Sequence, residues 1–148
     1  MTGVSAMQAL PALDDYLMRC LINSTIEGVS KTETISSDII QRAVDQNINQ
    51  AVDWTKVQSL ETIGIDEIAL RKGHDSYVTV ISAKAEDSLP IIIAILEGRE
   101  KDTVKSLLQS IPANLSSTVK HVCTDMYDGY VNAAIEVCGA LVPYTFKN

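Results

Sequence analysis

Hydrophobic residues in the first part of the chain recur at the spacing of helix turns. One apolar set spans residues 13–21 and a second spans residues 40–52, and positions three or four apart predict amphipathic helices. Residues 34–38 offer side chains that can cap the second helix, and residues 28–31 predict a turn between the two. We expect residues 1–58 to be helical, either as a helix-turn-helix module or as a plain helical hairpin.

From residue 61 onward the pattern changes to that of β-strands. Three runs rich in isoleucine and valine, at residues 61–70, 76–82 and 89–96, are separated by polar segments of five and six residues. A parallel crossover needs about a dozen residues or more. The short connections therefore predict an antiparallel meander.

The next segments alternate between helix and strand. Apolar residues at helix spacing between 104 and 111 predict a helix that ends at Pro112, and residues 119–124 predict a strand that can run parallel to the first. Asp128 is an expected N-cap of a last helix, and Gly139 stands where its C-terminal cap would be. Residues 140–142 predict the start of a fifth strand.

The predicted element order is β-β-β-α-β-α-(β), which is that of a ribonuclease-H-like α/β fold. We expect two parts: residues 1–58 as the helical segment and residues 60–148 as a ribonuclease-H-like core that is incomplete at its C-terminal end.

Composition limits the classes of function. The chain of 148 residues has a net charge of −7, and residues 1–60 hold four basic and seven acidic residues. Neither half has the basic surplus expected of a DNA-binding domain. The longest apolar run has eight residues, too few for a membrane helix, and the three cysteines are too widely spaced for a zinc site or a disulfide framework. We expect a cytoplasmic protein with reduced thiols.

Asp66 and Asp125 are the candidate chemical groups. Each lies within or just after an apolar run that predicts a buried strand, where a carboxylate is costly unless it is paired or bound to a cation. If the fourth strand lies beside the first, the two carboxylates could hold Mg²⁺, which prefers oxygen ligands. The alternative is that Asp66 is a strand-end residue and Asp125 is an N-cap of the last helix.

A series of motifs in residues 60–140 resembles DDE-type bacterial insertion-sequence transposases. The series consists of GIDEIALRKGH at residues 64–74, YVTV at 77–80, LEGR at 96–99 and TDMY at 124–127. The resemblance implies metal-dependent phosphodiester cleavage and strand transfer in DNA transposition, with Asp66 and Asp125 as the catalytic, metal-binding aspartates and Mg²⁺ or Mn²⁺ as the cofactor.

The resemblance also implies particular partners. These are double-stranded DNA at the terminal repeats of the element and, where the enzyme forms a homo-oligomer, a second copy of the chain. Neither a membrane nor a small-molecule substrate is expected. Arg71, Lys72, His74 and Arg99 could contact DNA phosphates. The alternative for the first three is an ordinary solvated hairpin turn.

The sequence departs from the family pattern near its C-terminal end. Twenty-three residues follow Asp125, and Glu136, the one nearby acid on a helix, matches no third-acid motif. We therefore expect a catalytically incomplete form of the enzyme. The alternatives are a non-enzymatic fragment that binds DNA or interferes with the full enzyme, and a degenerate remnant.

Overall fold

The computed structural model describes residues 10–22, 24–70, 76–124 and 127–139 and the backbone of residues 144–146. Three helices occupy the N-terminal part of the chain: α1 (Ala12–Leu21), α2 (Ile26–Glu33) and α3 (Ser37–Asn47). A short 3₁₀ turn, Trp54–Lys56, follows them. No helix among the described residues is long and apolar enough to cross a membrane.

The turn predicted at residues 28–31 is wrong, because these residues lie inside α2. The side chain of Thr25 accepts a hydrogen bond from the backbone N–H of Gly28 and so caps the N-terminus of this helix. The chain turns later, at Thr34, whose left-handed backbone ends α2. Ser36 then caps α3 through a hydrogen bond from the N–H of Asp38, as expected for the polar segment 34–38.

The strands form one five-stranded sheet. They are β1 (Thr62–Ala69), β2 (Tyr77–Lys84), β3 (Ile91–Glu97), β4 (His121–Thr124) and β5 (Tyr144–Phe146), in the spatial order β3-β2-β1-β4-β5. β2 is antiparallel to both β1 and β3, which confirms the predicted meander. β4 lies parallel to β1, also as predicted, and β5 lies parallel to β4.

Three more helices follow the meander: α4 (Lys101–Gln109), the short α5 (Ala113–Ser116) and α6 (Asp128–Cys138). Asp128 is the first residue of α6 and not its cap; the N-cap position belongs to Tyr127. Gly139 occupies the C-cap position with a φ of 78°, as the sequence predicts. The residues expected to start the fifth strand, 140–142, lie outside the described residues.

The sheet has an apolar core on each face. On one face, residues of α1, α2 and α3 pack against Ile68, Val80 and Ile95. On the other face, Val104 and Leu108 of α4 and Ala133 of α6 pack against Ile65 of β1. The alternation of side chains along a strand explains how one strand contributes to both cores. The arrangement is the α/β, ribonuclease-H-like architecture expected from the element order, preceded by helices.

Candidate metal centre

Asp66 lies in the middle of β1 and is 4% exposed. It pairs with Val80 of β2 and shares a sheet face with Gly64 and Ile68. On its other side, β1 pairs with β4, and the last paired residues are Ile65 and Thr124. Asp66 follows the first of these in sequence and Asp125 follows the second. Asp125 itself lies outside the described residues.

Small side chains surround Asp66 along the strand direction. Gly64 pairs with Ser82 of β2 and with Cys123 of β4, and all three residues are half-buried. A methyl group on Gly64 would come 2.5 Å from Ser82 Oγ and 3.6 Å from Asp66 Oδ2. The glycine therefore lets β2 and the carboxylate approach each other closely, beside a part of the sheet that is not fully buried.

This setting suits a hard divalent cation. A carboxylate oxygen is the ligand that Mg²⁺ prefers, and Mg²⁺ usually keeps several of its waters and binds one or two carboxylates. Among the described residues no group of three His, Cys, Asp or Glu side chains could hold a metal ion.

Glu67, the neighbour of Asp66, points to the opposite face of the sheet. Its Oε2 lies 3.4 Å from Nη1 of Arg99. The guanidinium carbon of Arg99 lies 4.1 Å from the ring centroid of Tyr77 and 4.7 Å from that of Tyr127, within the range of cation–π contacts. Arg99, predicted to contact phosphate, thus has three protein partners within the fold.

The aromatic part of this cluster continues into the core. The rings of Tyr127 and Tyr130 meet edge to face, with centroids 5.0 Å apart. The hydroxyl of the buried Tyr130 lies 2.8 Å from Thr79 Oγ1, which also lies 2.7 Å from the carbonyl oxygen of Gly98. Sequence reasoning missed this network. Its one visible signal is the spacing of the two tyrosines, three residues apart at the start of a helix.

The other predicted site residues have different positions. Arg71, Lys72 and His74 lie outside the described residues, between the ends of the hairpin, where the N–H of Leu70 donates to the carbonyl of Ser76 over 2.9 Å. Glu136 lies on α6 and makes ion pairs with Lys101 and Lys105 of α4. These two lysines lower the pKa of Glu136.

A cavity of about 320 Å³ lies away from Asp66, beside the outer strand β3. Its lining includes Asn47 at the end of α3 and Lys56 of the 3₁₀ turn, with Ile93 and Ile95 from β3. Neither Asp66 nor Arg99, the two predicted site residues that the structure describes, lines it.

The comparisons with known proteins agree with the element order. A family model for DDE transposases of the ISL3 type, described as a transposase, matches residues 63–142, which are more than half of the chain. No curated protein matches the chain. The matched segment runs from β1 past α6 and therefore includes Asp66, Arg99 and Asp125. The chain belongs to this family of DDE transposases.

Proposed function

We propose that this chain supplies Asp66 and Asp125 as two carboxylate ligands of a divalent metal site for DNA phosphodiester cleavage. The observation that carries the proposal is the burial of Asp66 beside Gly64, on the strand that pairs in parallel with β4. Ile65 of β1 pairs with Thr124 of β4, and Asp66 and Asp125 are the next residues in sequence. In this proposal the two aspartates therefore stand next to each other. The reaction takes place in the cytoplasm, on the terminal repeats of an insertion element.

A bound Mg²⁺ or Mn²⁺ supplies charge stabilisation for the oxygens of the scissile phosphate. The residues of the chain hold and orient that charge. Asp66 is held by its pairing with Val80 of β2, and β1 pairs with β4 up to the residue before it, so its backbone is placed without the entropy loss that a loop residue would incur on binding. Arg71, Lys72 and His74, which follow β1 in the sequence, are proposed phosphate contacts.

Metal binding tests this proposal directly. Mn²⁺ is titrated into the purified chain and followed by electron paramagnetic resonance and by the unfolding free energy. A ligand at 100 times its Kd raises that free energy by about 2.7 kcal/mol. We expect this stabilisation in the unmodified chain and its loss in Asp66→Asn and in Asp125→Asn.

Asp14→Asn is the matched control. Asp14 is a half-buried aspartate on α1 whose Oδ2 accepts a hydrogen bond from Asn47 Nδ2 over 3.0 Å, so its loss costs one polar contact far from β1. Its Mn²⁺ response should equal that of the unmodified chain. Equal Mn²⁺ binding by the unmodified chain and by Asp66→Asn would overturn the proposal.

We further propose that a polypeptide of these 148 residues does not carry out strand transfer by itself. The reason is that Glu136, the one glutamate that follows Asp125 in the sequence, is paired with Lys101 and Lys105 and matches no third-acid motif. Cleavage of terminal-repeat DNA in Mn²⁺ by this polypeptide, abolished by Asp66→Asn, would contradict this second point and leave the metal site standing.

Binding of DNA by the helical segment alone remains a prediction. The exposed charges of α3 are Asp38, Arg42 and Asp45, so its solvent face carries no basic surplus. A mobility shift on terminal-repeat DNA that weakens with salt and survives Asp66→Asn would support it.

A further inference from the structure

Arg99 joins the two chain segments that flank the predicted metal ligands. On one side it contacts Glu67, the residue after Asp66. On the other it stacks on Tyr127, which is two residues after Asp125 in the sequence. The same guanidinium also stacks on the ring of Tyr77, at the start of β2. One guanidinium therefore connects β1, β2 and the N-terminus of α6.

The backbone before Arg99 is shaped for this role. Gly98 has a φ of 77°, a left-handed conformation that favours glycine, and it reverses the chain between β3 and α4. Its N–H donates to the carbonyl of Tyr77 over 2.9 Å, and its carbonyl accepts from Thr79 Oγ1 over 2.7 Å. These bonds fix Gly98 on β2, so the Arg99 side chain leaves from a defined point.

The chemistry of the contact requires arginine. Partial burial lowers the pKa of Arg99, but the carboxylate of Glu67 raises it, and the net pKa is raised. The group is therefore a permanent cation. Its planar surface can lie on an aromatic ring while its edge faces a carboxylate, which the compact ammonium of lysine cannot do.

We propose that Arg99 is a positioning residue for the metal site, which holds the start of α6 against the strand that carries Asp66. The inference rests on the proposed function, because Arg99 can position a metal site only if Asp66 and Asp125 form one. In this proposal, Gly98 and Arg99 align the two chain segments that carry the metal ligands. Contact with a DNA phosphate is the competing role, and the experiment below distinguishes the two.

The test measures Mn²⁺ affinity in variants of the cluster. Arg99→Lys keeps the charge and loses the stacking plane, so we expect Mn²⁺ to bind about 10–100-fold more weakly, the effect typical of lost support behind a metal ligand. Tyr127→Leu should weaken binding in the same range. Tyr127→Phe keeps the ring and should retain affinity close to that of the unmodified chain, so the loss expected in Tyr127→Leu is assigned to the aromatic ring.

Arg19→Lys is the matched control, because Arg19 is also a part-buried arginine held by a carboxylate. It pairs with Asp15 over 2.7 Å and donates to the carbonyl of Pro90, away from β4. Its Mn²⁺ affinity should be unchanged. Unfolding midpoints without metal are measured for all variants and identify any variant that fails to fold. If Arg99→Lys does not fold, the difference in Mn²⁺ affinity between Tyr127→Phe and Tyr127→Leu tests the proposal.

The outcomes separate this inference from the function on which it rests. If the unmodified chain and Asp66→Asn bind Mn²⁺ equally, the metal site itself is wrong. If Asp66→Asn loses binding while Arg99→Lys and Tyr127→Leu bind like the unmodified chain, the positioning role is wrong. An unchanged Mn²⁺ affinity of Arg99→Met, together with a salt dependence of DNA binding that falls by about one phosphate contact, would make Arg99 a phosphate ligand instead.

Discussion

The two faces of the central sheet accommodate polar groups differently. On the face covered by α4 and α6, Thr79 contacts the hydroxyl of Tyr130 and Arg99 contacts Glu67, while the buried hydroxyl of Thr124 has no hydrogen-bond partner among the described residues. On the face covered by α1, α2 and α3, Asp66 is the only buried carboxylic acid among the described residues. Its nearest neighbours along that face are small or aliphatic.

The difference separates two uses of a buried polar group. A hydroxyl or guanidinium that meets its partner inside the fold stabilises the packing and fixes neighbouring elements. The carboxylate of Asp66 lies beside a glycine and a serine, at positions where the sheet is only half-buried. The contacts of the first face join α6 and the β3–α4 connection to the strands, and the second face carries the carboxylate that we propose as a metal ligand.

The largest expected effect comes from removing one core side chain from each face. Ile65 and Ile68 are both fully buried on β1, but they belong to opposite cores. Ile65→Ala and Ile68→Ala should each lower the unfolding free energy by about 2–5 kcal/mol. Chemical unfolding followed by circular dichroism and by the fluorescence of Trp54 measures both, with Leu89→Ala as the control because Leu89 is 86% exposed.

We expect both signals to shift together in each variant, because the two layers share the strands of one sheet. If Ile68→Ala separated the helix signal from the Trp54 signal, the helical layer would unfold as an independent unit. That result would favour the predicted boundary near residue 59 as a real domain division, and it would mean that the two faces differ in cooperativity as well as in polarity.

A smaller effect is expected at the close approach beside Asp66. Gly64→Ala places a methyl group 2.5 Å from Ser82 Oγ, and such overpacking costs about 1–3 kcal/mol. The double variant Gly64→Ala with Ser82→Ala removes the obstructing oxygen and should recover most of the loss. Urea unfolding of the two single variants and the double variant forms the complete cycle. A double variant as unstable as Gly64→Ala would show that another contact sets the need for glycine.

Much of the sheet could be predicted because its signal is local. The meander follows from three aliphatic runs with short connections, and the parallel pairing of β4 follows from the helix that precedes it. α2 was missed because its residues, IEGVSKTE, include a glycine and bury only Ile26 and Val29, so the apolar pattern is too weak to outweigh the turn signal. The capping hydroxyl of Thr25 compensates for it.

The candidate site could be predicted only in part, for a related reason. Asp66 is visible in the sequence because a charge interrupts an apolar run. The contacts of Arg99 join Glu67, Tyr77 and Tyr127, which are far apart in sequence and become neighbours only when β2 pairs with β1 and α6 packs on the sheet. No periodicity along one segment carries that information.

The smallest expected effect concerns Glu136, and it tests whether the face covered by α4 and α6 also contributes a metal ligand. Hydrogen bonds from Lys101 and then from Lys105 lower the pKa of this exposed carboxylate. Because the pKa is lower in the folded state, the ionised carboxylate stabilises the protein at pH values above the usual glutamate pKa of about 4.3. That stabilisation is lost as the pH falls through the folded-state pKa. Glu136→Gln should therefore be slightly less stable than the unmodified chain at neutral pH and equal to it in acid, as measured by urea midpoints.

Because Glu136 is engaged with α4, the Mn²⁺ affinity of Glu136→Gln should equal that of the unmodified chain. Loss of Mn²⁺ binding in Glu136→Gln would instead make it the third acid, and the contrast between the two faces would no longer hold.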